Sequence, residues 1–264
     1  MRIAVLGGGV MGETLVAGLL ALEPRPEVVI AEKRPERAAE LAATYGVSLA
    51  EPAAAVEQAE VVILVVKPQD TPALLAEVGA LIEPGAVVVS IAAGIRTETI
   101  ESAVPEGVHV VRAMPNTPAR VGRGVTGISA GIGCSADSVA LVVRLLGSVG
   151  VVEVVPEKLQ DAVTAVSGSG PAYLFYLAEA MTTAAVELGI DEATATSMVN
   201  QTLLGAATLL ATADDPATEL RRKVTSPGGT TAAAVSVLDD RGVAHSVVEA
   251  ITAARDRGRE LSGS

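Results

Sequence analysis

A chain of 264 residues, half of them hydrophobic and only 19% charged, can bury a large core and fold as one or two domains. Its formal net charge of −12 removes the basic footprint that nucleic acid or an anionic membrane surface requires, while leaving room for local binding of small anions. One cysteine, Cys134, excludes an internal disulfide framework and a cysteine-rich metal cluster, and two distant histidines, His109 and His245, form no metal-ligand set.

The chain opens with Arg-Ile-Ala-Val-Leu-Gly-Gly-Gly-Val-Met-Gly over residues 2–12. Residues 3–6 read as a short strand, and an apolar-periodic helix is expected from Glu13. Between them Gly7, Gly9 and Gly12 fall on the GxGxxG spacing, with Val10 and Met11 completing the turn. In a dinucleotide-binding turn the first glycine permits a sharp exit from the strand. The second lets backbone approach a pyrophosphate, and the third lets helix pack on strand. The phosphates then rest on a helix N-terminus, whose free N–H groups and dipole favour negative charge. The spacing alone also describes an ordinary glycine-rich turn, so its context matters. A signal-peptide reading fails because the glycines and Glu13 interrupt the apolar run after Arg2.

Residues 28–31 form a second expected strand, ending at Glu32, twenty residues beyond Gly12. An acid at that distance suits a ribose hydroxyl. Lys33 and Arg34 follow, and they suit a 2′-phosphate equally well or simply form a solvated turn before the helix opening at Pro35, so NAD and NADP both stay open. A helix over 35–45, a short strand near Val47 and a buried parallel strand over 61–66 come next.

Ligands in an open α/β sheet lie beyond the carboxyl ends of the strands, which points Val66, Lys67 and Pro68 at the cofactor. The strand over 86–91 ends in Ala92-Ala93-Gly94, small enough to admit a flat ring, and the strand over 108–112 runs into Ala113-Met114-Pro115-Asn116-Thr117. Lys67 also reads as a plain strand-end cation, and Asn116 as an Asx-turn residue. A strand over 125–130, a helix over 136–146 and a strand over 151–155 complete a mostly parallel Rossmann-type sheet, with Pro156 as the boundary. Residues 1–156 are thus expected to bind the dinucleotide.

Residues 157–264 carry helical patterns only, over 159–166, 171–188, 192–212 and 243–261, as expected of an all-α domain for substrate binding and dimerisation. The stretch 193–213 has no charged residue but contains Thr, Ser, Asn and Gln throughout, which argues against a membrane span and for burial at a subunit interface. Residues 165–173, Ala-Val-Ser-Gly-Ser-Gly-Pro-Ala-Tyr, form a small-residue joint in which Pro171 suits a first helical turn. At 224–231, Val-Thr-Ser-Pro-Gly-Gly-Thr-Thr reads as a loop opening a helix. A capped helix start accounts for one hydroxyl there. Two glycines flanked by four hydroxyl residues fit a carboxylate site better, built from the N–H groups of Gly229, Thr230 and Thr231 and the Ser226 hydroxyl.

The turn at 7–12, Val-Lys-Pro at 66–68, Arg-Ala-Met-Pro-Asn at 112–116, and the motifs at 166–173 and 225–231 occur in an order that resembles the pyrroline-5-carboxylate reductase family over essentially the whole chain. The first motif is common to many dehydrogenases; the last two are specific. The resemblance implies reduction of 1-pyrroline-5-carboxylate to L-proline by NADPH or NADH, the last step of proline biosynthesis. It implies a homodimer of interleaved C-terminal domains, with larger assemblies such as decamers in some members. It further implies a substrate carboxylate against Ser226, Gly229 and Thr230, with the Thr231 hydroxyl on the ring nitrogen as the catalytic group. The nicotinamide would lie between the strand ends at 66–68 and 92–94, so the expected cofactor contacts are Gly7, Gly9, Val10, Met11, Gly12, Glu32, Lys33, Val66, Lys67, Pro68, Ala93 and Asn116.

The chain departs from the family pattern at three positions: Val66 stands where alanine is common, and Glu32 and Lys33 stand where many NADP-preferring members have asparagine and arginine. A cyclic imine needs little acid–base machinery, which suits a chain without a His/Asp pair. No metal is expected, and the lack of a targeting signal points to the cytoplasm. The rivals are a β-hydroxyacid-type dehydrogenase, which would call for a lysine that residues 171–188 lack, and a non-catalytic dinucleotide sensor. On this reading the two glycine-lined helix starts converge on one cleft.

Overall fold

The structure, a computed structural model, describes the backbone of residues 1–262 and the side chains of residues 1–260. The chain divides into two units, Met1–Ser169 together with the chain from Ala254 on, and Gly170–Ala253.

The first unit is an eight-stranded sheet. Its strands are β1 (Arg2–Leu6), β2 (Glu27–Ala31), β3 (Ser48–Leu49), β4 (Val61–Leu64), β5 (Val87–Ser90), β6 (His109–Pro115), β7 (Gly124–Ala130) and β8 (Gly150–Val154). They lie in the order β3-β2-β1-β4-β5-β6-β7-β8, parallel from β3 to β6, with β7 antiparallel to β6 and β8 parallel to β7. β1 lies between β2 and β4, so the chain winds one way from it and then the other. That reversal leaves a crevice at the strands' carboxyl ends.

Alternation along the strands builds two cores. Ile3, Val5, Ile30, Ile63 and Val89 face α1 (Val10–Leu20), α2 (Pro35–Tyr45) and the distant α6 described below, where Leu15, Leu41 and Leu145 complete one layer. Ala4, Leu6, Val62 and Val88 face the other way, onto α3 (Pro52–Val56), α4 (Thr71–Val78) and α5 (Thr97–Glu101) through Val56, Leu75, Val78 and Ile100. The remaining helices of this unit are α6 (Ala136–Leu146) and α7 (Gln160–Val163).

The elements differ from the sequence expectation in several places, including β4, which ends at Leu64 rather than at residue 66. α1 starts at Val10, three residues before Glu13, so Gly12 lies within the first helical turn. β6 continues past Arg112 to Pro115 because its antiparallel ladder with β7 pairs Met114 with Gly127 and Pro115 with Thr126. The short helices α3, α4 and α5 carry too few turns for a periodic signal. The helix expected over 159–166 is α7 followed by a π-turn, Thr164–Gly168, in which the Ser169 N–H donates to the Thr164 carbonyl at 2.8 Å.

The second unit holds α8 (Gly170–Glu187), α9 (Glu192–Thr212), α10 (Ala217–Lys223), α11 (Thr230–Asp240) and the start of α12 (Val243–Ser262). α8 packs on α9, where Ala195 and Val199 are buried. Phe175 and Tyr176 on α8, and Leu204 and Leu209 on α9, stay more than half exposed in the single chain. Apolar faces of this extent mark an association surface. Among the described residues no helix is long and apolar enough to cross a membrane.

Candidate functional site

The β1–α1 turn is built where the sheet runs out of strand partners. The Gly7 N–H donates to the Ala31 carbonyl at 2.8 Å, and the Val65 N–H donates to the Leu6 carbonyl at 2.9 Å. Gly7 has φ of +119°, and a Cβ there would stand 2.4 Å from the Val65 carbonyl oxygen. A Cβ on Gly12 would stand 2.1 Å from the Gly7 carbonyl oxygen. On Gly9 it would meet nothing within 4 Å. The protein itself therefore requires the first and third glycines, whereas the second borders open space, as a cradle for a ligand does.

Gly9 is also the N-cap of α1, and no side chain caps the helix. The Glu13 N–H closes the first turn on the Gly9 carbonyl at 2.9 Å, which leaves the preceding N–H groups pointing outward, as a pyrophosphate requires. These features fit a dinucleotide.

Arg37 braces the turn from α2. Its Nε donates to the Gly8 carbonyl at 3.0 Å, and its guanidinium pairs with Glu40 at 2.7 Å and with Glu13. The Tyr45 hydroxyl donates to Glu13 Oε1 at 3.1 Å. The hydrogen bond from Arg37 lowers the Glu13 carboxyl below its ordinary range, against a smaller opposing effect of burial. Sequence reasoning passed over Arg37 because Glu13 lies 24 residues away, and no spacing rule connects them.

Glu32 sits immediately beyond β2 with a side chain only 5% exposed. Its Oε2 accepts from the Gly8 N–H at 2.9 Å and from Arg34 Nη2 at 3.3 Å. Its Oε1 accepts from the Arg34 N–H at 3.0 Å and Arg34 Nε at 2.9 Å. The Arg34 side chain is the largest influence holding this carboxyl down to about 2, and the backbone N–H groups of Arg34 and Gly8 outweigh, with it, the cost of burial.

A cavity of about 1260 Å³ brings together Gly7, Gly9, Glu32, Lys33, Val66 and Lys67. Val10, Met11 and Gly12 form the first turn of α1 beside it. Three further expected contacts are not among the residues lining this cavity. Pro68 opens a 3₁₀ turn, Pro68–Asp70, and Ala93 is exposed beyond the end of β5. Asn116, 8% exposed, donates from Nδ2 to the Ser167 carbonyl at 3.0 Å and accepts the Val125 N–H on Oδ1 at 2.9 Å. Its amide thus serves the protein at both ends, rather than standing open to a cofactor.

A further polar cluster, built on the buried Thr97 and Arg112, was not announced by the sequence. Glu157 accepts the Thr97 N–H at 2.8 Å and the Thr97 hydroxyl at 2.7 Å, and it pairs with the buried Arg112 at 3.4 Å.

In the second unit, α11 repeats the pattern of α1. Gly229 is its N-cap, with no side-chain cap, after Gly228 at φ of +70°. The Gly229 N–H, expected to face a ligand, instead donates to the Ser226 carbonyl at 3.0 Å and closes the loop. The helix's unpaired donors begin at Thr230 and Thr231, since its first backbone bond runs from the Ala233 N–H to the Gly229 carbonyl at 3.1 Å. Among the described residues no group of three or more His, Cys, Asp or Glu side chains is placed to hold a metal ion.

Two family models match the chain: one for pyrroline-5-carboxylate reductase dimerisation over residues 157–261, and one for NADP oxidoreductase, coenzyme F420-dependent, over residues 2–94. The pyrroline-5-carboxylate reductase of Mycobacterium leprae is 41% identical, the alignment covering 98% of this chain and 96% of that protein. The solved structure of a pyrroline-5-carboxylate reductase from Coxiella burnetii is 34% identical and superposes with a TM-score of 0.93, covering 98% of each chain. A Plasmodium falciparum pyrroline carboxylate reductase solved with NADP bound superposes at 0.85 with 23% identity, over 99% of this chain and 98% of that one, a likeness of fold.

Proposed function

This chain belongs to the pyrroline-5-carboxylate reductase family, and from that premise we propose how its residues divide the work. The protein is an oxidoreductase that reduces 1-pyrroline-5-carboxylate to L-proline with NAD(P)H, the last step of proline biosynthesis. The bound nicotinamide supplies the hydride that the C=N carbon accepts, and the ring nitrogen takes up a proton.

The outward N–H groups of Val10, Met11 and Gly12 hold the cofactor's pyrophosphate, and Arg37 keeps their turn in shape through Gly8. Val66, Lys67, Pro68 and Ala93, at neighbouring strand ends, form the floor for the nicotinamide end. Asn116 acts by positioning: its amide fixes the carbonyl of Ser167, in the π-turn that leads into α8.

The start of α11 takes the substrate. Thr230 and Thr231 present N–H groups to its carboxylate, the Ser226 hydroxyl adds a donor, and Gly229 contributes by capping without a side chain. A Thr231 hydroxyl both donates and accepts, so it bonds the ring nitrogen in either protonation state and relays its proton. The uncapped, glycine-started α11 is the observation that carries this assignment. NAD(P)H oxidation with 1-pyrroline-5-carboxylate, compared between wild type and Thr231→Ala, tests it.

The dimerisation domain makes the protein a homo-oligomer. The exposed apolar faces of α8 and α9 support the dimer as its building block, and decamers would be assembled from such dimers. The free Cys134 thiol suits the reducing cytoplasm in which we place the enzyme.

A further inference from the structure

The reading above leaves the nicotinamide cofactor as NADH or NADPH, which differ only by a phosphate on the adenosine 2′-hydroxyl. The cavity beside the β1–α1 turn carries four carboxylates, Glu32, Glu51, Asp70 and Glu77, against three cations, Lys33, Arg34 and Lys67. A 2′-phosphate would bring a further ~1.5–2 negative charges into a space that is already net negative.

Within that space Glu32 is the most firmly held acid. Two backbone N–H groups, of Gly8 at 2.9 Å and Arg34 at 3.0 Å, aim its carboxylate, and one of them belongs to the glycine turn itself. Arg34, one of the two cations that directly follow Glu32 in the cavity lining, has both Nε and Nη2 on that carboxylate, at 2.9 and 3.3 Å.

The two halves of this arrangement are not equally fixed. The Glu32 side chain is 5% exposed and Arg34 is 60% exposed, so the Nη2 contact is readily surrendered to a neutral hydroxyl donor while the two backbone contacts persist. A ribose diol can take that place and leave the carboxylate satisfied. A phosphate has no proton to offer at neutral pH and meets a fixed anion instead.

We propose that Glu32 makes this chain an NADH enzyme, its carboxylate accepting the adenosine-ribose diol and excluding a 2′-phosphate while holding Arg34 away from phosphate binding. The inference rests on the placement of a dinucleotide at the glycine turn.

Calorimetric titration of the full-length oligomer with NADH and with NADPH, without imine substrate, tests it independently of turnover. Wild type is expected to bind NADH at least about tenfold more tightly than NADPH. Glu32→Gln should erase that ratio, weakening NADH and strengthening NADPH. Adding Arg34→Met to Glu32→Gln should remove the NADPH gain, because only in that background is the guanidinium free. NADPH binding to wild type as tightly as NADH overturns the inference and leaves the cofactor site intact. So does a ratio that Glu32→Gln does not change. If neither cofactor binds wild type, the inference and the assignment of the glycine turn fall together. The wild-type ratio decides the matter even if Glu32→Gln does not fold.

Discussion

Gly12 lies so close under the Gly7 carbonyl that an added Cβ would stand 2.1 Å from its oxygen, whereas three residues earlier a Cβ on Gly9 would meet nothing within 4 Å. The same residue type thus serves packing at one position and access at the other.

Alanine at the two positions should separate these roles. Gly12→Ala forces the turn and α1 apart, with an expected loss of ~1–3 kcal/mol that appears as a lower melting temperature. Gly9→Ala has room and an ordinary φ of −65°, so its melting temperature should match wild type within about a degree or two, while its affinity for NAD(P)H drops by tenfold or more. Thermal denaturation and cofactor titration on the two purified variants check both halves.

Arg37 holds the turn through the Gly8 carbonyl and through Glu13 just beyond Gly12, so its effect should fall on cofactor binding. Arg37→Met should raise the KM for NAD(P)H by about three- to tenfold and change kcat little. Arg37→Lys should recover only part of this, because an ammonium cannot hold Gly8, Glu13 and Glu40 in one planar fork. Steady-state kinetics at saturating substrate distinguish this from a general loss of fold, which would lower kcat as well.

The carboxyl of Glu32 is held down to about 2 from an ordinary 4.5. Such a group stabilises the folded state fully above the unfolded value, and that contribution is lost as pH falls from 4.5 through 2. Because Arg34 is exposed and its charge screened by water, the contribution at neutral pH is on the order of 1 kcal/mol. Glu32→Gln should therefore be less stable than wild type at pH 7 by that amount, and the difference should shrink below pH 4.5. Urea unfolding midpoints at pH 7, 4 and 3 check it.

Much of the first unit was legible because its signals are local. The GxGxxG spacing, the acid twenty residues on and the β-branched runs each state their own structure, and the limits of α2 and α6, Pro35–Tyr45 and Ala136–Leu146, are the expected ones. What escaped was contact between distant positions. The start of α1 at Val10 depends on Gly9 serving as a cap, and the reach of β6 to Pro115 depends on β7 as a partner. At the candidate site the residues of the turn were readable, but their supports were not. The hold of Arg37 on Gly8 spans 29 residues and that of Glu157 on Thr97 spans 60. The amide of Asn116, which read as a contact for ligand, is used internally on both sides.

The central claim is that α1 and α11 carry separate tasks, cofactor at one and imine at the other. Thr231→Ala should test it most directly, through NADH affinity by calorimetry and through kcat/KM with 1-pyrroline-5-carboxylate by absorbance at 340 nm. The account predicts NADH affinity within about twofold of wild type and kcat/KM lower by one to two orders of magnitude, the loss of one useful hydrogen bond in the transition state. Wild-type turnover in this variant, or a loss of NADH binding equal to the loss of rate, would contradict it.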